Sequence, residues 1–167
     1  MKHGLAPILW PDSRVLVLGS LPGDESLRLQ QYYANPRNQF WTILARIHDA
    51  TVDADYASRL SFLRDHGIAL WDVIQRADRP GSLDAAIKNA VPNDFAPLFE
   101  RAPAVRTIVF NGGAAARLFE RSVRRLVVPQ LLCAHRLIPL PSTSPIPGRN
   151  VCTLGQKIEK WKIIAHC

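Results

Sequence analysis

The chain has 167 residues, 47% of them apolar, and a net charge of +7 at pH 7. That size suits one domain spanning residues 1–167, large enough to bury about two-thirds of its unfolded surface without staples, and the basic balance favours a polyanionic partner. Cys133, Cys152 and Cys167 lack CxxC spacing and the five histidines form no HxH or HxxxH pair, so no disulfide framework and no metal are expected; with no apolar run near ~18 residues and no signal-peptide core, a soluble cytoplasmic protein is expected.

The first predicted element is a buried strand, Arg14 to Leu18, which runs into the turn Gly19-Ser20-Leu21-Pro22-Gly23. Asn35-Pro36 reads as a helix start, Asn as N-cap and Pro at the first helical position, with Phe40, Trp41, Leu44 and Ile47 on one stripe. This places Asn38 in the first turn. Asp53 or Asp55 caps the next helix, which holds Leu60 and Leu63 and stops near Gly67. Ile68 to Val73 is a second buried strand. Arg79-Pro80-Gly81-Ser82 is a loop whose Ser82 caps a helix from Leu83 to Asn89, and Asn93 or Asp94 starts another toward Arg101. Val105 to Phe110 is a strand, followed by Asn111-Gly112-Gly113 and a helix through Arg121. Arg136 to Leu140 is the last strand, and Thr153 caps a terminal helix with Ile158, Trp161 and Ile164 on one face.

Strands alternating with helices predict a parallel sheet covered on both sides. Ligands of such sheets bind at the carboxyl ends of the strands, so Gly19, Asp72, Asn111 and Leu140 are expected around one mouth. The Gly19–Gly23 turn lacks the Gly-Lys-Ser/Thr ending of a P-loop and the GxGxxG of a dinucleotide site. Its free N–H groups can still hold a phosphate or a base carbonyl. Tyr33 lies in the loop before the helix cap, where an aromatic can stack on an extruded base. Pro141-Ser142-Thr143-Ser144-Pro145 is stiff and hydroxyl-rich, suited to DNA phosphates, and Arg149 adds a cation nearby. Asp72 can accept a ring N–H, though a strand-end carboxylate is more often a cap or an ion-pair partner. Arg117, Arg121, Arg124 and Arg125 are either a phosphate-tracking patch or a solvated surface.

Taken in order, Gly19-Ser20-Leu21-Pro22-Gly23, Tyr33-Ala34-Asn35-Pro36-Arg37-Asn38-Gln39-Phe40-Trp41 and Pro141-Ser142-Thr143-Ser144-Pro145 resemble the motifs of the uracil-DNA glycosylase superfamily. The second segment, with Ile68–Val73 and Phe110-Asn111-Gly112, is most similar to its hypoxanthine-DNA glycosylase branch. The resemblance covers essentially the whole chain. It implies a three-layer α/β/α domain with a central, mainly parallel four-stranded sheet. It also implies a DNA glycosylase acting on DNA that contains a deaminated base, with no cofactor. Leu21 occupies the position where the mismatch-specific branch has a catalytic Asn, so that role does not transfer. Asn38 matches the catalytic Asn of the hypoxanthine branch, and its amide oxygen is expected to hold the attacking water. By position, Tyr33 resembles the stacking aromatic and Asp72 the residue that reads the base edge. Ser20, Leu21 and Asn111 are expected to bind the base, and Pro141, Ser142, Thr143, Ser144 and Arg149 the DNA backbone, with Pro145 or Ile146 as duplex wedge. None of Lys2, Lys88, Lys157, Lys160 and Lys162 lies in a motif, so a monofunctional, monomeric enzyme without a lyase step is expected. Uracil as main substrate, or a non-catalytic DNA-binding member of the fold, are the alternatives.

Overall fold

The computed structural model describes residues 1–126, 133–145 and 151–167. Its centre is a four-stranded sheet built from β2 (Val15–Gly19), β3 (Ile68–Asp72), β6 (Thr107–Asn111) and β7 (Arg136–Leu140). The order is β3-β2-β6-β7 and every pairing is parallel, in agreement with the expected fold class. Alternation along the strands sends side chains to two cores. Val15, Val17, Ile68, Leu70 and Val109 meet α2 (Phe40–Ile47), α3 (Tyr56–Asp65) and a terminal helix, α6 (Leu154–Trp161), through Phe40, Leu44, Leu63 and Trp161. Leu16, Leu18, Ala69, Ile108 and Phe110 meet α4 (Ala96–Arg101) and α5 (Gly113–Leu118) through Leu98, Phe99, Ala115 and Leu118.

Local signals set several boundaries as read from the sequence. Asp55 Oδ2 accepts Ser58 N–H at 2.9 Å and starts α3, while Gly67, at φ +65°, reverses the chain after it. Thr153 and Gln156 form a capping box on α6.

Three expectations are corrected. The helix at Asn35-Pro36 begins only at Phe40. Asn35 Oδ1 takes Arg37 N–H and Asn35 O takes Asn38 N–H, so Asn35–Asn38 closes a turn and Asn38 precedes the helix. The side chain of Asn outbids helical bonding here, as short amides do near caps. Ser82 does not cap a helix, because its Oγ accepts Asp24 N–H at the start of α1 (Asp24–Leu29), an element the sequence reading missed. In place of the Leu83–Asn89 helix there is one 3₁₀ turn, Asp84–Ala86, and then β5 (Lys88–Pro92). With β1 (Lys2–His3) and β4 (Ile74–Asp78), β5 forms a second, antiparallel sheet in the order β1-β4-β5. These strands are short and mostly exposed or half-buried, so they carry little hydrophobic period to read.

Candidate active site

The carboxyl ends of the four parallel strands open into one cavity of about 410 Å³, within the usual range of small-molecule sites. Gly19, Ser20, Leu21, Tyr33, Asn38, Asp72, Asn111, Ser142, Thr143, Ser144 and Pro145 all line it. Sequence separations of more than 100 residues are thus closed by the sheet. Pro141 sits just behind the wall, its carbonyl taken by Trp161 Nε1–H at 2.9 Å. Arg149 and Ile146 lie outside the described residues.

On the late side a neutral network fixes the wall. Thr143, fully buried, is gripped twice by Asn111: its N–H bonds Asn111 Oδ1 and its Oγ1 accepts Asn111 Nδ2–H, both at 2.9 Å. Thr143 Oγ1–H then donates to Asn38 Oδ1 at 2.8 Å, and Phe40 N–H donates to the same oxygen at 2.9 Å. Only an oxygen can answer Phe40 N–H, so the amide orientation of Asn38 is set. Its Oδ1 is fully engaged, and the group left over is Nδ2–H. The expectation that the amide oxygen holds a water is corrected on this point. Asn111 likewise spends most of its bonding on Thr143 and not on the cavity. Gly112, at φ +98°, lets this corner close; a Cβ there would meet Ser142 Cβ at 3.0 Å.

Lys157 braces the same wall from α6. Its Nζ donates to Gln39 Oε1 at 2.8 Å and to Ser144 O at 3.2 Å. Burial pulls the ammonium below the usual lysine range. Among the described residues no carboxylate pairs with it, and residues 127–132 and 146–150 contain no Asp or Glu. Sequence reading passed over it, although it lies four residues before Trp161 and so on the buried face of the helix.

Tyr33 adopts φ +51°, a left-handed conformation uncommon for tyrosine. Its ring stacks on Phe40, centroids 3.9 Å apart and planes at 22°, while Trp41 Nε1–H holds its carbonyl at 3.3 Å. Burial, and then the nearby Asp72 carboxyl, raise the phenol well above its ordinary range. Asp72 sits where a side chain on Gly19 would be, since a Cβ there would collide with Asp72 Oδ1. The Asp72 carboxyl is buried and its Oδ2 has no partner among the described residues. Burial and then the neighbouring Asp84 push its pKa up to about 7, with Arg79 opposing.

The early side is held by charge. Arg79, only 4% exposed, donates from Nη1 to Leu21 O at 3.0 Å, from Nη2 to Pro22 O, and from Nε to Gly81 O at 3.1 Å. Asp84 stands 3.9 Å from Nη1 and accepts Ser20 Oγ–H at 2.5 Å. Lys2 bonds Asp24 and Gly81 O. Arg79 lay in a stretch read only as loop, and nothing in its neighbours along the chain signals this contact. The backbone N–H groups of Ser20 and Leu21 have no partner among the described residues. Leu21 itself is buried against the apolar core. Arg117 and Arg121 are solvent-exposed, and Arg124 pairs with Glu120 at 2.8 Å. Among the described residues no group of three or more His, Cys, Asp and Glu is placed to hold a metal, and no helix is long and apolar enough to cross a membrane.

A family model for the uracil DNA glycosylase superfamily matches residues 7–161, which takes in every wall of this cavity. The chain belongs to that superfamily. Two of its relatives there are proteins named hypoxanthine DNA glycosylase. The one from Methanosarcina acetivorans is 42% identical over 116 residues, 69% of this chain and 73% of the relative. The one from Methanosarcina barkeri is 39% identical over 112 residues, 66% and 71% of the two chains. The solution NMR structure of a Methanosarcina acetivorans protein proposed to be a uracil DNA glycosylase superposes with a TM-score of 0.81 at 34% identity, covering 99% of this chain and 97% of that one. The superfamily fold therefore extends over the whole chain, the second sheet included.

Proposed function

We propose that this protein is a monofunctional DNA glycosylase that hydrolyses the N-glycosidic bond of a deaminated base, hypoxanthine first, turned out of DNA into the cavity. The observation that carries the reading is the meeting of Tyr33, Asn38 and the unpaired Ser20 and Leu21 N–H groups around one space. Two relatives about 40% identical bear the name hypoxanthine DNA glycosylase. Extruding a base costs a few kcal/mol, least for a mispaired lesion. The exposed face of Tyr33 offsets part of this by stacking, about 1–3 kcal/mol. Deamination of adenine or cytosine replaces an amino group with a carbonyl oxygen, to which the Ser20 and Leu21 N–H groups donate. An amino group there would leave both donors unpaired, at about 1–3 kcal/mol each. Asp72 faces the ring N–H.

As the glycosidic bond breaks, its electron pair leaves with the base and spreads onto the carbonyl oxygen held by those donors. Water attacks C1′ and its surplus proton ends on the departing base. Asn38 positions that water by donating Nδ2–H to its oxygen, leaving a lone pair for the sugar; an amide is too weak a base to do more. Ser142 and Ser144 hold the DNA backbone, with Arg149 beyond them; Thr143, expected to share that role, is buried with its N–H, hydroxyl and carbonyl all bonded within the protein and supports the wall from behind. The enzyme is proposed to act as a monomer, one glycosylase-like domain over residues 1–167, in the cytoplasm where it meets the nucleoid.

Excision from a lesion panel by wild type and Asn38→Ala tests the reading. The expected result is loss of turnover by about 10²–10³-fold with DNA affinity kept within threefold. A wild-type protein that binds DNA but releases no base from any lesion overturns it. Uracil as main substrate is the second reading. It is favoured by the solution structure's proposed activity, and the same panel ranks the two bases.

A further inference from the structure

We propose that Arg79 is the positioning residue of the base-recognition turn: by fixing Leu21 O and Pro22 O it holds in place the turn whose Ser20 and Leu21 N–H groups, aimed by the β3–β4 corner, face the base carbonyl. The inference rests on the base-excision reading above.

Four consecutive carbonyl oxygens of this turn are drawn to the protein side. Val73 N–H takes Gly19 O at 2.9 Å and Ile74 N–H takes Ser20 O at 3.0 Å, both from the β3–β4 corner. Arg79 takes the next two, Leu21 O and Pro22 O. In a trans peptide the N–H points away from the C=O of the same unit. Tying Gly19 O and Ser20 O behind the turn therefore sends Ser20 N–H and Leu21 N–H toward the cavity.

The corner can supply only its two N–H groups. Beyond it the turn reaches Pro22, which has no N–H and cannot continue a ladder. The guanidinium replaces the missing strand there, with a third bond to Gly81 O that anchors it to the facing loop. Its charge lies behind the donors in a buried setting, where burial lowers its pKa and Asp84, Asp24 and Asp72 raise it. Asp84 faces Arg79 and also fixes the Ser20 hydroxyl, so one acid serves both ends of the turn. A cation there strengthens donors aimed at a leaving base that gathers negative charge. Arg79 touches neither base nor water, and its effect passes entirely through the turn.

The test uses full-length Arg79→Lys, Arg79→Gln and Arg79→Gly with three readouts: single-turnover excision of hypoxanthine from duplex DNA, competitive inhibition by free hypoxanthine, and affinity for duplex carrying a tetrahydrofuran abasic analogue. Lys keeps the charge but cannot span two carbonyls and a third. The expected result is excision slower by about 100-fold or more in all variants. Inhibition by free hypoxanthine should weaken at least tenfold, and abasic-DNA affinity should stay within threefold. Millimolar guanidinium ion should restore part of the rate to Arg79→Gly. Wild-type excision by Arg79→Lys, or equal losses of base and abasic-DNA binding in a variant whose melting shows it folded, overturns the proposal. If Gln and Gly do not fold, Arg79→Lys and its base-against-abasic split decide alone. Failure of the underlying reading looks different, since then the wild type itself releases no base.

Discussion

The two turns that face each other across the cavity are built on opposite principles. The early turn, Gly19–Gly23, is held from behind by a buried guanidinium and a half-exposed carboxylate, and presents bare backbone N–H groups. The late turn, Pro141–Pro145, is held by an Asn111–Thr143–Asn38 chain of neutral amide and hydroxyl bonds. The four acids that line the cavity, Asp24, Glu25, Asp72 and Asp84, all stand on the early side, in or facing that turn. On the proposed reading, the charged early side gives the base carbonyl a set of fixed donors, while the Asn38 amide is bonded only by neutral groups and Lys157 reaches the late wall through Gln39 and Ser144. The early wall is thereby the pH-sensitive half of the site, and the late wall the half sensitive to loss of a single hydroxyl.

Asp72 gives the largest expected contrast. Its carboxyl titrates near 7 in the folded protein against a usual 3.8, so the folded state holds this proton more tightly than the unfolded chain does. The stabilisation is complete below about pH 4 and is lost as pH rises to about 7, beyond which a buried charge remains. Asp72→Asn should thus gain stability over wild type across that window and level off above it, by at most about 4 kcal/mol. Urea unfolding at pH 4.5, 6 and 8 checks this; a gain that is flat with pH defeats it. The late wall should show the reverse pattern. Thr143→Val, nearly isosteric, strips one partner from Asn38 Oδ1 and one from Asn111 Nδ2–H, costing about 2–3 kcal/mol at every pH. Excision should fall with it by at least tenfold, because the Asn38 amide is left with Phe40 N–H as its one tether and is held less firmly; normal excision by a folded Thr143→Val protein would separate the network from catalysis. The smallest effect is expected at Lys157, which braces the late wall from α6. Removing a buried cation without a carboxylate partner costs little folding stability, so Lys157→Met should melt within a few degrees of wild type. Its DNA affinity should drop about threefold and its salt dependence become shallower, as titrations at 50 and 200 mM salt would reveal. An unchanged slope would mean that this charge is not felt by the phosphates.

Elements with strong local signals were legible along the chain. The parallel strands are unbroken apolar runs because both faces are buried, and α3 and α6 start at caps that bond within three residues. The segments from Gly19 to Gly23, from Tyr33 to Trp41 and from Pro141 to Pro145 were enough to pick out the superfamily, since each is a short stretch whose residue types can be read in sequence order. The small antiparallel sheet, the late start of α2 and the three-carbonyl grip of Arg79 were not legible. The sheet and the grip depend on partners far off in the chain, Lys2 with Ala77 and Arg79 with Leu21 and Pro22, while the late start of α2 follows from Asn35 closing a local turn instead of capping a helix, a turn that Thr143 ties down by bonding Asn38 and Gln39. Local order obeys short-range sterics and hydrophobic period, which consecutive residues encode. Which way an amide or a peptide N–H points is decided by donors and acceptors that meet only after the sheet has assembled, and so the fold and family were written in the chain while the polarity of the site was settled by packing.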